Sequence, residues 1–67
     1  MTTITLNGNP HEIQAPLTLT GLLESLGLAG KPVVIELDEQ AVFPRDYEKT
    51  ELAGGSRVEI VTLAAGG

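Results

Sequence analysis

One amphipathic stripe limits what this chain can fold into more than any other feature. In "LTLTGLLESLGLAG", Leu19, Leu22, Leu23 and Leu26 fall at i, i+3, i+4 and i+7, the spacing that lines one face of an α-helix. Thr18 stands just before the stripe, where its hydroxyl can accept a free N–H of the first turn. Gly27 stands just after it, suited to the left-handed residue that closes a helix. Gly21 in the first turn costs about 1 kcal/mol against alanine. The spacing predicts a helix of two to three turns. No second stripe of this period occurs, so the leucines must be buried on a sheet.

The flanking segments supply that sheet. Thr3 to Leu6, "TITL", alternates with Ile4 and Leu6 on one face. The Asn7-Gly8 step that follows is a strong hairpin signal, because both residues tolerate positive φ. His11 to Ala15 returns as a second strand, with Ile13 and Ala15 on one face and Pro16 ending it. Beyond the helix, Pro32 blocks further helix, and Val33 to Leu37, "VVIEL", reads as a strand. "DEQ" is a polar turn, and Ala41 to Phe43 is a short strand. "PRDYEKTEL" has no clear period and reads as a loop with a helical turn. Gly54-Gly55 turn the chain into Arg57 to Leu63, "RVEIVTL", where Val58 and Ile60 share one face and Glu59 and Val61 the other.

The predicted order is β-β-α-β-β-β, an α+β chain whose mixed sheet of about five strands half-wraps one helix: a β-grasp. The first and last strands belong in the middle of the sheet, where both edges are paired. Residues 1–63 form the domain, and residues 64–67 are a small-residue tail.

Composition narrows the function. The chain has 67 residues and is 42% hydrophobic, within the globular range. A domain of this size buries only about 60% of its unfolded surface. Phe43 and Tyr47 are its aromatics, so Leu, Ile and Val must build the core. Nine carboxylates against four Lys and Arg leave a net charge of −5, which argues against nucleic-acid or anionic-membrane partners. With no cysteine there is no disulfide and no thiolate metal site. The first ten residues lack the basic and apolar regions of a signal peptide, and no stretch approaches the roughly 20 apolar residues of a membrane helix. A cytoplasmic domain is the expectation.

Catalytic groups are scarce. His11 is the lone histidine, set beside a turn without a nucleophile–base–carboxylate constellation. Gly54-Gly55 precedes a strand, so it offers no helix N-terminal amides to an anion. Glu36, Asp38 and Glu39, and again Asp46, Glu48 and Glu51, form solvated charge clusters or a docking surface for a basic partner. A one-layer sheet leaves its far face open, and Val61, opposite Ile60, belongs either to an apolar docking patch there or to a second layer of the sheet. The four small residues after Leu63, "AAGG", cannot anchor to the domain. Gly66 and Gly67 lack a Cβ, so the segment can thread a narrow slot and present an ionised carboxylate to another protein's active site. Such an arm suits a substrate, not a catalyst.

Four stretches carry a family resemblance: "LNG" at Leu6 to Gly8, "TLTGLLESLGL" at Thr18 to Leu28, "VVIELDEQAVFPRDY" with Pro44 and Arg45, and "LAGGSRVEIVTLAAGG". Together they resemble the thiamine-biosynthesis sulfur carrier proteins, ubiquitin-like β-grasp domains ending in Gly-Gly. Ser56 stands where that family usually has Asp, Asp46 where it has Ser, and Ala65 where a third Gly is common. The resemblance implies a non-enzyme that carries sulfur on Gly67, with Gly66 and Ala65 giving access. Val61, Phe43 and Arg45 are the candidate docking residues. It also implies three partners: an ubiquitin-activating-like adenylyltransferase using ATP and Mg²⁺, a persulfide donor such as a cysteine desulfurase, and a thiazole synthase. The chain itself would bind no cofactor. A molybdopterin synthase small-subunit-like carrier and a ubiquitin-like modifier or adaptor are the alternatives.

Overall fold

A computed structural model describes residues 1–63; residues 64–67, including Ala65, Gly66 and Gly67, lie outside the described residues. Strand β1, Thr2–Leu6, turns at Asn7-Gly8 into β2, Asn9–Ile13. Both turn residues have positive φ, 50° and 84°, as a two-residue hairpin with this twist requires. A short strand β3, Leu17–Thr18, runs straight into helix α1, Leu19–Ser25. There follow β4, Val33–Leu37, and β5, Gln40–Val42, then a 3₁₀ helix, Pro44–Lys49, strand β6, Glu51–Leu52, and finally β7, Arg57–Thr62.

The main sheet has five strands in the order β2-β1-β7-β4-β5. β7 is central, parallel to β1 and antiparallel to β4. The first and last strands thus occupy the interior of the sheet, as their patterning requires. A second sheet of two strands pairs β3 with β6. It was not expected: two-residue strands are too short to show a period, and Leu17 and Leu52 pair across 35 positions of sequence.

The second strand also differs from expectation. It spans Asn9–Ile13 and not His11 to Ala15, because the two-residue turn makes Asn9 the partner of Leu6 and starts the ladder at once. Pro10 is tolerated in it because β2 is an edge strand. Ala15 and Pro16 fall in the link to β3.

The helix follows the sequence closely. Gly21 N–H donates to Thr18 Oγ1 at 3.1 Å, the cap expected of Thr18. At the other end Gly27 has φ +74°. Its N–H donates to the Glu24 carbonyl, and the Leu28 N–H donates to the Leu23 carbonyl at 2.8 Å. This double closure satisfies the last free carbonyls. Gly21 has a steric reason to be glycine: a Cβ there would lie 2.7 Å from Leu17 Cδ1.

Leu19 and Leu22 are fully buried against Ile4, Ile35 and Val58, with Leu23, Leu52, Ile13 and Ile60 around them. Tyr47 joins this core from the 3₁₀ helix, and burial pushes its phenol above its ordinary pKa. Ser56 is the buried polar residue. Its Oγ accepts the Ala53 N–H at 3.0 Å and so closes the Gly54-Gly55 turn.

Both hairpin turns are tied to β7. Asn7 Oδ1 accepts the Ile60 N–H at 2.7 Å, and the Asn7 N–H donates to the Val58 carbonyl. On the other side, Asp38 Oδ1 accepts the Arg57 N–H at 2.9 Å, while the Asp38 N–H donates to the Arg57 carbonyl. Leu63 N–H donates to the Pro32 carbonyl at 3.0 Å, which holds the chain in register one residue past the strand. Removing the helix cap with Thr18→Ala should lower stability by about 1 kcal/mol, read as an earlier denaturant midpoint with an unchanged slope.

Candidate functional site

Strand alternation sorts the residues of β4 and β7 between two faces. Ile35, Val58 and Ile60 point at the helix and are buried. Val34, Glu36, Arg57, Glu59 and Val61 point the other way and are exposed. Val34 and Val61 are direct cross-strand partners, exposed to 47% and 58%. The Ile35–Val42 register brings Phe43, one residue beyond β5, alongside Val34. Phe43 is 56% exposed, and Leu63, two residues beyond Val61, is 52% exposed. The result is an apolar row, Phe43–Val34–Val61–Leu63, on the face without a helix and at the root of the tail.

The three predicted docking residues meet here. Arg45 Cζ lies 5.0 Å from the centre of the Phe43 ring, a cation–π contact worth about 0.5–1 kcal/mol when exposed. Val61 joins Phe43 through Val34. Val34 and Leu63 were not among the predicted site residues. "VVIEL" is apolar at four of five positions, so its pattern does not show which residues face outward. Once Ile35 is fixed inward, the two-residue period turns Val34 outward. Gly67, Gly66 and Ala65 lie outside the described residues, so the structure bears on the root of the arm and not on its end.

Next to the apolar row runs a charged one. Glu36 of β4 and Glu59 of β7 are direct partners on the same open face. Arg57 and the turn residue Glu39 border the same shallow hollow. The second acidic cluster lies elsewhere, with Asp46 and Glu48 on the 3₁₀ helix, where Asp46 meets Lys49 at 3.5 Å, and Glu51 in β6. His11 is half-buried on the edge strand, paired with Ile4. Among the described residues, no group of three His, Asp or Glu side chains is placed to hold a metal ion. No described helix is long and apolar enough to cross a membrane.

A five-stranded mixed sheet over one capped helix, with the last strand central and its outer end apolar and exposed, defines a ubiquitin-like β-grasp domain. A family model, the ThiS family, matches residues 4–67. The chain is 36% identical over 62 residues to the sulfur carrier protein ThiS of Thermus thermophilus, covering 92% of this chain and 95% of that one. It is 38% identical over 64 residues to a thiazole synthase of Magnetococcus marinus; the match takes in 96% of this chain but only 20% of that protein. The crystal structure of the thiamine biosynthesis protein ThiS from Geobacter metallireducens superposes with a TM-score of 0.83 at 28% identity, covering 98% of this chain and all of the other. The chain belongs to the ThiS family, the sulfur carrier proteins of thiamine biosynthesis.

The two faces of β7 give opposite expectations for stability. Val61→Ser, on the open face, should change unfolding free energy by no more than about 0.5 kcal/mol. Ile60→Ala, one residue away on the helix side, should cost about 2–5 kcal/mol. Paired urea melts of the two variants check the assignment of faces.

Proposed function

We propose that the chain carries sulfur as a thiocarboxylate on Gly67. An ubiquitin-activating-like adenylyltransferase, using ATP and Mg²⁺, would join the Gly67 carboxylate to AMP and release pyrophosphate. The terminal sulfur of a persulfide, drawn from cysteine by a desulfurase, then displaces AMP. A thiol cleaves the remaining S–S bond and frees the thiocarboxylate. Adenylation is needed because a carboxylate at neutral pH is ionised and has no good leaving group. The absence of cysteine is in keeping with this chemistry, since an internal thiol would attack the activated acyl group. A thiazole synthase takes up the sulfur, and the kinship with one such protein supports that choice of acceptor.

The observation that carries this reading is the apolar row at the root of the tail. Phe43, Val34, Val61 and Leu63 form an exposed docking face that ends at Leu63, the last residue before the arm in sequence. A partner seated there is positioned to receive the last residues in its active site. Arg45, stacked on Phe43, borders the same face.

Two tail variants test the proposal. Adding one Ala after Gly67 displaces the carboxylate by about 3.3–3.6 Å, and a misplacement of about 1 Å in a reacting group can cost about a hundredfold in rate. Gly66→Val adds a branched side chain where a narrow slot admits none. Both should keep the parent's thermal midpoint and lose ATP-dependent pyrophosphate exchange with the cognate adenylating enzyme. The parent, purified with its activating enzymes, should show the mass gain of one oxygen-for-sulfur exchange. Full-rate exchange by the extended chain would show that the arm is not the substrate. A lysine conjugate in place of the thiocarboxylate would make the chain a modifier.

A further inference from the structure

We propose that Glu36 and Glu59 form a clamp for one arginine side chain of the adenylating enzyme. The inference rests on the reading of the open sheet face as that enzyme's docking surface. Its starting point is a placement that works against the fold. Glu36 and Glu59 are direct partners across β4 and β7, and like charges set opposite one another in a sheet destabilise it. Both are exposed on the same face, with Cβ atoms about 4.5–5.5 Å apart by the geometry of such pairs. Among the described residues no ion pair joins either to a cation, although Arg57 borders the same hollow. The Arg57 backbone N–H is held by the Asp38 carboxylate, a further negative charge at this end of β7. With Glu39 at the rim, the hollow holds three carboxylates to one guanidinium.

Charge and position point to the same occupant. The surplus negative charge calls for a cation. Two carboxylates side by side suit a guanidinium, whose planar fork donates to both, better than the point charge of an ammonium. The Glu36–Glu59 row lies two residues along the strands from the Val34–Val61 row, a rise of about 6.6–6.8 Å. A protein docked on the apolar row therefore meets the glutamates at the border of the same contact. There a charge contributes mainly to encounter rate and register. The chain's net charge of −5 adds long-range attraction of the same sign. The like-charge pair destabilises the free carrier and becomes favourable once the enzyme supplies its arginine.

The test is pyrophosphate exchange by the cognate adenylating enzyme against carrier concentration, for the parent, Glu36→Gln, Glu59→Gln and the double variant. Each single change should raise the KM for carrier about tenfold, the loss of one charge-assisted contact, with kcat retained. Added salt should raise the parent's KM more steeply than that of the double variant. The thermal midpoints should stay at the parent value or rise, because the repulsion is gone. An unchanged KM, or a salt response equal to the parent's, overturns the clamp. So does a fall in thermal midpoint, which would make the glutamates structural. If the parent itself supports no exchange, the carrier reading fails and the clamp with it; exchange with an unchanged KM removes the clamp alone.

Discussion

The hydrogen bonding of β7 on both sides is the constraint on which the rest of the structure depends. The strand pairs with parallel β1 and with antiparallel β4, and the turn of each flanking hairpin adds a side-chain bond to its backbone. A parallel pairing cannot be closed by a short turn. The intervening chain has to cross over, and α1 lies within that crossing. Because β7 is last in sequence and central in space, the fold is complete only when it is seated. The C-terminal segment therefore leaves from one of the most firmly held parts of the molecule. The Leu63 bond to Pro32 extends that control to the edge of the described chain.

The same arrangement divides the work between two faces. One face of β7 is spent on stability: Val58 and Ile60 close the core against Leu19 and Leu22. The other face has no layer on it, since the chain has one α-helix among its described residues. A small domain cannot bury everything apolar, yet scattered exposure would look different from what is found. Phe43, Val34, Val61 and Leu63 line up across three strands and end at the tail. The acidic pair beside them gives that face a charge pattern as well as an apolar centre.

Two departures from the family pattern have structural accounts. Ser56 accepts the Ala53 N–H through its hydroxyl, a task that an Asp carboxylate also performs, so the turn before β7 is kept. Asp46 lies in the first turn of the 3₁₀ helix, where its N–H donates to the Phe43 carbonyl and its carbonyl accepts the Thr50 hydroxyl at 2.7 Å. Its side chain faces Lys49, so the exchange keeps a polar residue in a solvated turn.

The sequence by itself determined the helix, its cap at Thr18, its closure at Gly27, the Asn7-Gly8 hairpin and the inward and outward residues of β7. These rest on local rules: period, φ preference and the hydroxyl geometry of a cap act within a few residues. It also placed Phe43, Arg45 and Val61 among the docking candidates. Tertiary structure alone decided the β3–β6 pairing, the early start of β2, the exposure of Val34 and the opposition of Glu36 to Glu59. Each of these depends on register between segments far apart in the chain. Periodicity cannot encode register, because every strand of period two has two faces and only its neighbours settle which one is buried.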